Sequence, residues 1–254
     1  MLKICNLSAG YGRKNVLKNV SFSLDDGSVT GLLGANGCGK TTLLKAVCGI
    51  LPHEGGCYVD ETALQTLSGR ALARLVSYIP QRSGITIDLT AQEVVEMGFN
   101  PHLGLLQQPT RQMKETARQM LEKVAIPPEQ NYLQLSEGQK QMCILARTLV
   151  SEANVLVMDE PESALDLKNR YGLFELLRQA APGKTVLAAL HDPQLALQVC
   201  DRLILLCGGT VGAVLYPKTD ELSHMEKALC RIYGKVKLHK MEDTLVMYKT
   251  GGSQ

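Results

Sequence analysis

The stretch that most constrains this chain is Gly34-Ala35-Asn36-Gly37-Cys38-Gly39-Lys40-Thr41. It follows the apolar run Val29–Leu33 and opens a helical pattern over Thr41–Cys48, so it fills the pattern G-x-x-x-x-G-K-[ST] in the strand–loop–helix setting that the pattern requires. Glycines let such a loop approach a ligand closely and turn its backbone amides toward phosphate oxygens. Lys40 supplies a positive charge for β- and γ-phosphates, Thr41 a hydroxyl for Mg²⁺, and Thr42 a neighbour for the α-phosphate. The helix that starts here adds the positive end of its dipole.

Three more apolar runs, Val155–Met158, Thr185–Leu190 and Leu203–Leu206, read as buried strands of a mostly parallel sheet. A helical pattern over Leu167–Ala181 stops at Pro182-Gly183. This alternation predicts an open α/β sheet. Gly-containing turns at Asp25-Asp26-Gly27 and Glu54-Gly55-Gly56 suggest antiparallel strands near the N-terminus. In the middle, Met113, Ala117, Met120, Leu121 and Val124 recur at helical spacing, with Arg118 and Glu122 an i,i+4 pair on another face. Pro127-Pro128 is expected to end that helix. The expectation is one domain over residues 1–254, with a helical insert at about 85–150, a short C-terminal extension at about 217–254 and a frayed tail over Lys249–Gln254.

Composition narrows the function classes. A net charge of +2, 4% aromatic residues and no Trp argue against a nucleic-acid surface. The eight cysteines form no Cys-x-x-Cys pair and read as buried thiols in a reduced compartment rather than as a metal or redox centre. Cys38 stands apart because it lies in the phosphate loop, where oxidation would block nucleotide binding. The N-terminus lacks a signal-peptide stretch, and no run reaches the roughly 18 apolar residues that cross a bilayer. The chain is therefore expected in the cytosol, with any membrane link through a partner.

Val155-Leu156-Val157-Met158 runs into Asp159-Glu160-Pro161. Two acids at the end of a buried strand are costly unless they are used. Asp159 is expected to hold Mg²⁺ through water, and Glu160 to polarise an attacking water as general base.

Leu135-Ser136-Glu137-Gly138-Gln139, followed by Lys140–Arg147 and placed shortly before the acidic strand, resembles the LSGGQ signature of the ATP-binding-cassette (ABC) family. Four further pieces occur in that family's order: Tyr11, Gln81 in Tyr78-Ile79-Pro80-Gln81, Asp166 in Ser163-Ala164-Leu165-Asp166, and His191 in Leu190-His191-Asp192. Tyr11 taken alone also reads as an ordinary surface tyrosine. The resemblance covers nearly the whole chain. It implies a P-loop NTPase (RecA-like) α/β core with an N-terminal antiparallel β subdomain and an inserted α-helical subdomain. It implies ATP and Mg²⁺, with ATP held by Tyr11, by Gly34 through Thr42 and by Ser136, Gly138 and Gln139. Thr41, Gln81 and Asp159 are the implied magnesium ligands, and Glu160, His191 and Gln81 the implied catalytic residues. In the family the signature caps ATP bound to the other subunit, which implies a homodimer in the ATP-bound state with Asp166 at its interface.

The chain departs from the pattern twice: Glu137 replaces a Gly, and Glu162 replaces a Thr after Pro161. A Glu137 side chain facing the nucleotide would repel it, and one turned outward would be silent; activity is expected to survive both changes. Glu93–Gly104 resembles the segment that follows the Gln81 motif in ATPases of iron–siderophore, haem and cobalamin importers, with Phe99 in place of their Arg. Leu229-Cys230-Arg231-Ile232-Tyr233-Gly234 resembles the same group's C-terminus. This implies an importer ATPase on the cytoplasmic face of the cell membrane, held by two transmembrane permease subunits that work with an extracytoplasmic solute-binding protein, and no nucleic-acid partner. The alternative is a soluble ABC ATPase such as that of iron–sulfur cluster assembly.

Overall fold

The computed structural model describes residues 1–250 other than Ser83, Leu105, Ala181 and Asp243. The elements run β1 (Leu2–Tyr11), β2 (Lys14–Leu24), β3 (Val29–Gly34), α1 (Lys40–Val47), β4 (His53–Val59), β5 (Thr62–Ala63), α2 (Gly69–Leu75), β6 (Val76–Ile79), α3 (Ala91–Glu96), α4 (Arg111–Lys123), α5 (Glu137–Val150), β7 (Val155–Asp159), α6 (Leu167–Ala180), β8 (Thr185–Ala189), α7 (Pro193–Val199), β9 (Arg202–Cys207), β10 (Thr210–Leu215), α8 (Leu222–Tyr233), β11 (Val236–Met241) and β12 (Thr244–Lys249). They fall into two compact units, Met1–Thr66 with the chain from Thr185 onward, and Leu67–Lys184.

In the first unit an antiparallel sheet has the order β2-β1-β4-β5. Along β1 the buried residues are Leu2 and Ile4, then Leu7 and Ala9. That is a slip of one in the period of two, and a bulge absorbs it: the pairing of β1 with β4 shifts between Cys5 and Ser8, and Asn6 takes φ 48°. Glu54-Gly55-Gly56, expected as a turn, lies inside β4 opposite this bulge. Gly55 has φ 82°, and a Cβ there would lie 2.4 Å from Asn6 O. The glycine serves a close approach between strands, not a chain reversal. The turn at Asp25–Gly27 forms as expected, with Gly27 at φ 71° and Ser28 N donating to Asp25 O at 3.3 Å.

Every residue of β3 is buried. It pairs in parallel with β8 on one side and β9 on the other, and β10 runs antiparallel along β9. Apolar runs without alternation suit strands covered on both faces, and they mark these strands to within a residue or so of their ends. After α8, β11 and β12 form a separate antiparallel hairpin. The expected fraying does not reach Lys249, which pairs with Val236, or Thr250, whose N donates to Lys235 O at 3.1 Å. Gly251–Gln254 lie outside the described residues.

In the second unit β6 and β7 pair in parallel, and α2–α6 make up the helices. α6 matches its expected span up to Ala180; Ala181 is outside the described residues. α4 buries Ala117, Met120 and Leu121. The prolines do not end it. It stops at Lys123, where Ala125 turns left-handed at φ 55°; Ala125 N donates to Glu122 O at 3.1 Å and Ile126 N to Leu121 O at 3.0 Å. Those crossed bonds, with Ile126 and Leu121 both buried, are a Schellman ending that glycine normally fills. An alanine there carries roughly 1–2 kcal/mol of steric cost, partly offset by glycine's greater chain entropy. Ala125→Gly is therefore expected to stabilise the protein by about 0.5–1 kcal/mol, read as a higher urea midpoint at unchanged slope.

Candidate nucleotide site

The phosphate loop belongs to the first unit. Gly37 and Gly39 take φ 75° and 111°, the left-handed region that favours glycine. A Cβ on Gly39 would meet Leu17 Cδ2 at 2.7 Å, and one on Gly34 would meet Leu206 O and Cys38 Sγ at 2.5 Å. The loop is thus seated tightly on β2 and β9, whereas Ala35, Asn36 and Gly37 are exposed and nothing lies within 4 Å of a Cβ on Gly37. α1 starts at Lys40 with no side-chain cap, and the start of a helix favours an anion. Lys40 is buried, and its Nζ folds over the loop to donate to Gly34 O at 3.0 Å. Thr41 is half-buried, and Thr42 and Cys38 are buried; burial raises the pKa of the Cys38 thiol. An exposed glycine loop with the Lys40 ammonium folded against it suits a polyphosphate.

Tyr11 ends β1 and is 51% exposed. His191 is exposed and follows Leu190, whose N donates to Leu32 O at 3.1 Å. It precedes Asp192, which caps α7 by accepting from Gln194 N at 2.9 Å and Leu195 N at 3.1 Å.

The acidic strand end belongs to the second unit. Asp159 is buried as the last residue of β7, and the Tyr78 hydroxyl donates to its Oδ2 at 3.4 Å. Glu160 breaks from the strand at φ 48°, a strained turn for a non-glycine residue. Its Oε2 accepts from Gln81 Nε2 at 2.7 Å. The family resemblance implies Gln81 as a magnesium ligand and catalytic residue; the fold adds its bond to Glu160 and brings Tyr78 to Asp159. The signal for Tyr78 lies in register: it pairs with Val157, two residues before Asp159 and on the same face of the strand. Glu162 is buried.

In the signature, Ser136 caps α5. Its Oγ accepts from Gln139 N at 3.2 Å while Gln139 Oε1 accepts from Ser136 N at 3.0 Å, a reciprocal capping box. Gln139 is thereby committed to its own helix, and the Ser136 hydroxyl keeps its proton for donation. A Cβ on Gly138 would lie 3.3 Å from Ala164 O, so the signature packs on the segment that ends in Asp166. Asp166 Oδ1 accepts from Asn169 N at 2.9 Å. Ser136, Gly138, Leu165 and Asp166 line a groove of about 440 Å³. Glu137 lines the same groove; its side chain is 78% exposed and its Oε1 pairs with Lys140 Nζ at 2.8 Å.

Magnesium binds hard oxygen donors in few protein bonds, with phosphates and water completing its shell. Thr41, Gln81 and Asp159 carry such oxygens. Among the described residues no three His, Cys, Asp or Glu side chains converge on one point. Phe99, at the position of the importers' Arg, is buried in the second unit beside Gly98, where a Cβ would meet Arg147 O at 2.2 Å.

The ABC transporter family matches residues 17–163. The hemin import ATP-binding protein HmuV of Bordetella parapertussis is 36% identical over 92% of each chain. A Helicobacter pylori protein named Probable iron chelatin transport ATP-binding protein is 34% identical over 81% of this chain and 83% of its own. Among solved structures, the dimeric post-hydrolysis state of the ATP-binding cassette MJ0796 with ADP and Pi superposes with a TM-score of 0.76 at 26% identity, over 87% of this chain and 100% of that one. The chain belongs to the ABC transporter family, as a subunit that binds and hydrolyses ATP. Among the described residues no helix is long and apolar enough to cross a membrane.

Proposed function

We propose that this chain powers import of haem or a related iron chelate, as a peripheral subunit on the cytoplasmic face of the membrane. Two copies close on two ATP molecules and drive two permease subunits fed by a solute-binding protein. The observation that carries the two-copy reading is the groove at the start of α5. Ser136, with a hydroxyl proton to donate, sits there beside Gly138 and Asp166 at a helix N-terminus, a second phosphate-grade end in the same chain. The cargo rests on the likeness to HmuV, which extends over nearly all of both chains. No geometry favours the soluble cluster-assembly alternative.

In this reading Tyr11 stacks on adenine, the amides of Gly34–Gly39 with Lys40 and Thr42 hold the phosphates, and His191 hydrogen-bonds the γ-phosphate. Ser136, Gly138 and Gln139 meet the ATP of the partner copy, and Asp166 faces that copy. Magnesium, when bound through Thr41, Asp159 and Gln81, neutralises phosphate charge. Glu160 accepts the proton of the attacking water, and the Gln81 amide sets the direction of its carboxylate, so a shift of Gln81 moves the base. Glu137 lies at the same groove, where its pairing with Lys140 offsets part of its charge.

The test is purification from membranes. Recovery with a many-spanning permease, and haem uptake that fails without this chain, is the expected result. Recovery with soluble cluster-assembly proteins instead would replace this reading.

A further inference from the structure

One side chain joins the hairpin β11–β12 to the start of α7. Gln194 Nε2 donates to Leu245 O at 2.6 Å, and Gln194 Oε1 accepts from Met247 N at 2.7 Å. Leu245 and Met247 stand two apart on β12, so both groups lie on one edge of the strand. The amide completes that edge as a neighbouring strand would. The hairpin is pinned to α8 as well, where Glu226 accepts from Leu238 N and from Lys237 Nζ, each at 2.9 Å. Tyr233, the last residue of α8, lies within electrostatic reach of both Cys38 in the phosphate loop and Asp192; burial pushes its phenol up to about 12, so it stays protonated.

His191 therefore sits between two fixed points. On one side Leu190 is bonded to β3 through Leu32 O. On the other, the first turn of α7 is tied to β12 through Gln194. We propose that Gln194 is a positioning residue for ATP hydrolysis: its latch on β12 holds the start of α7, and with it His191, in the attitude that meets the γ-phosphate. This rests on the role given to His191 above. The Asp192 cap uses the backbone amides of Gln194 and Leu195, so the helix start survives loss of the Gln194 side chain. What goes is its tie to the hairpin. The C-terminal hairpin thereby becomes part of the hydrolytic apparatus.

The experiment is steady-state ATPase kinetics on the full chain. Gln194→Ala removes the latch from the helix side. Met247→Pro removes its N–H from the hairpin side, on an edge where proline is tolerated. Each is expected to lower kcat roughly ten-fold by misplacing a catalytic group, with KM for ATP within about two-fold. The double variant should be no worse than either single one, because both delete one interaction. Gln194→Met, which keeps the chain length without the bonds, should match Gln194→Ala at an unchanged unfolding midpoint. Wild-type kcat in Gln194→Ala, with His191→Ala inactive, overturns the latch and leaves the role of His191 standing. Full turnover in His191→Ala overturns that role and the latch together. Additive losses in the double variant, a raised KM at constant kcat, or losses that track a lowered unfolding midpoint each reduce Gln194 to a structural contact and also overturn the proposal.

Discussion

Glu160→Gln is expected to lower ATP turnover by roughly 10²–10⁴-fold, the range for removing a general base, while ATP binding persists. The substitution keeps size and shape, so the strained turn at φ 48° and the packing around it should survive. It removes the one capacity an amide lacks, that of taking a proton from water. The Gln81 amide, 2.7 Å from the carboxylate, retains an acceptor in the new side-chain oxygen, so Gln81 is not left unpaired. If closure needs ATP but not hydrolysis, the variant should collect as an ATP-bound dimer. Phosphate release gives the first quantity, and size-exclusion chromatography with ATP the second. A variant that turns over at the wild-type rate would remove Glu160 from its assigned role, and one that is slow yet stays monomeric would remove the two-copy reading.

Lys40→Ala is expected to weaken ATP binding roughly ten- to a hundred-fold, the worth of about 1.5–3 kcal/mol in charge-assisted hydrogen bonds. The loop itself should hold its shape. Its seat comes from Gly34 against Leu206 and Gly39 against Leu17, and its curvature from glycines at positive φ. The bond that Lys40 makes to Gly34 O is one of many in the loop and β3. Calorimetric titration with ATP checks the affinity, and an unfolding midpoint close to wild type checks that the loss is in binding. Wild-type affinity would place the phosphates away from this loop.

Much of this site is written locally. The phosphate loop needs a strand before it, glycines within it and a helix after it, and all three lie within some twenty consecutive residues. The acidic strand end and the cap at Ser136 are likewise set by neighbours in sequence, because hydrogen bonds of a cap reach only three residues along the chain. Apolar runs marked β3, β7, β8 and β9 because a strand covered on both faces has no polar side to show.

Other features needed the folded chain. The partner of Glu160 is Gln81, 79 residues away, and Tyr78 reaches Asp159 only through the register of β6 on β7. Gly55 looks like a turn residue until β1 lies across it. The prolines after α4 look like its stop until Ala125 is seen turning first. Gln194 is an unremarked polar residue in a helix until Leu245 and Met247 come alongside. The amino-acid sequence by itself determined which chemical groups this protein brings to a phosphate, since each motif closes its own short ring of bonds. The tertiary structure alone decided what holds those groups in place, because contacts fifty or more residues apart depend on register and packing that no local pattern encodes.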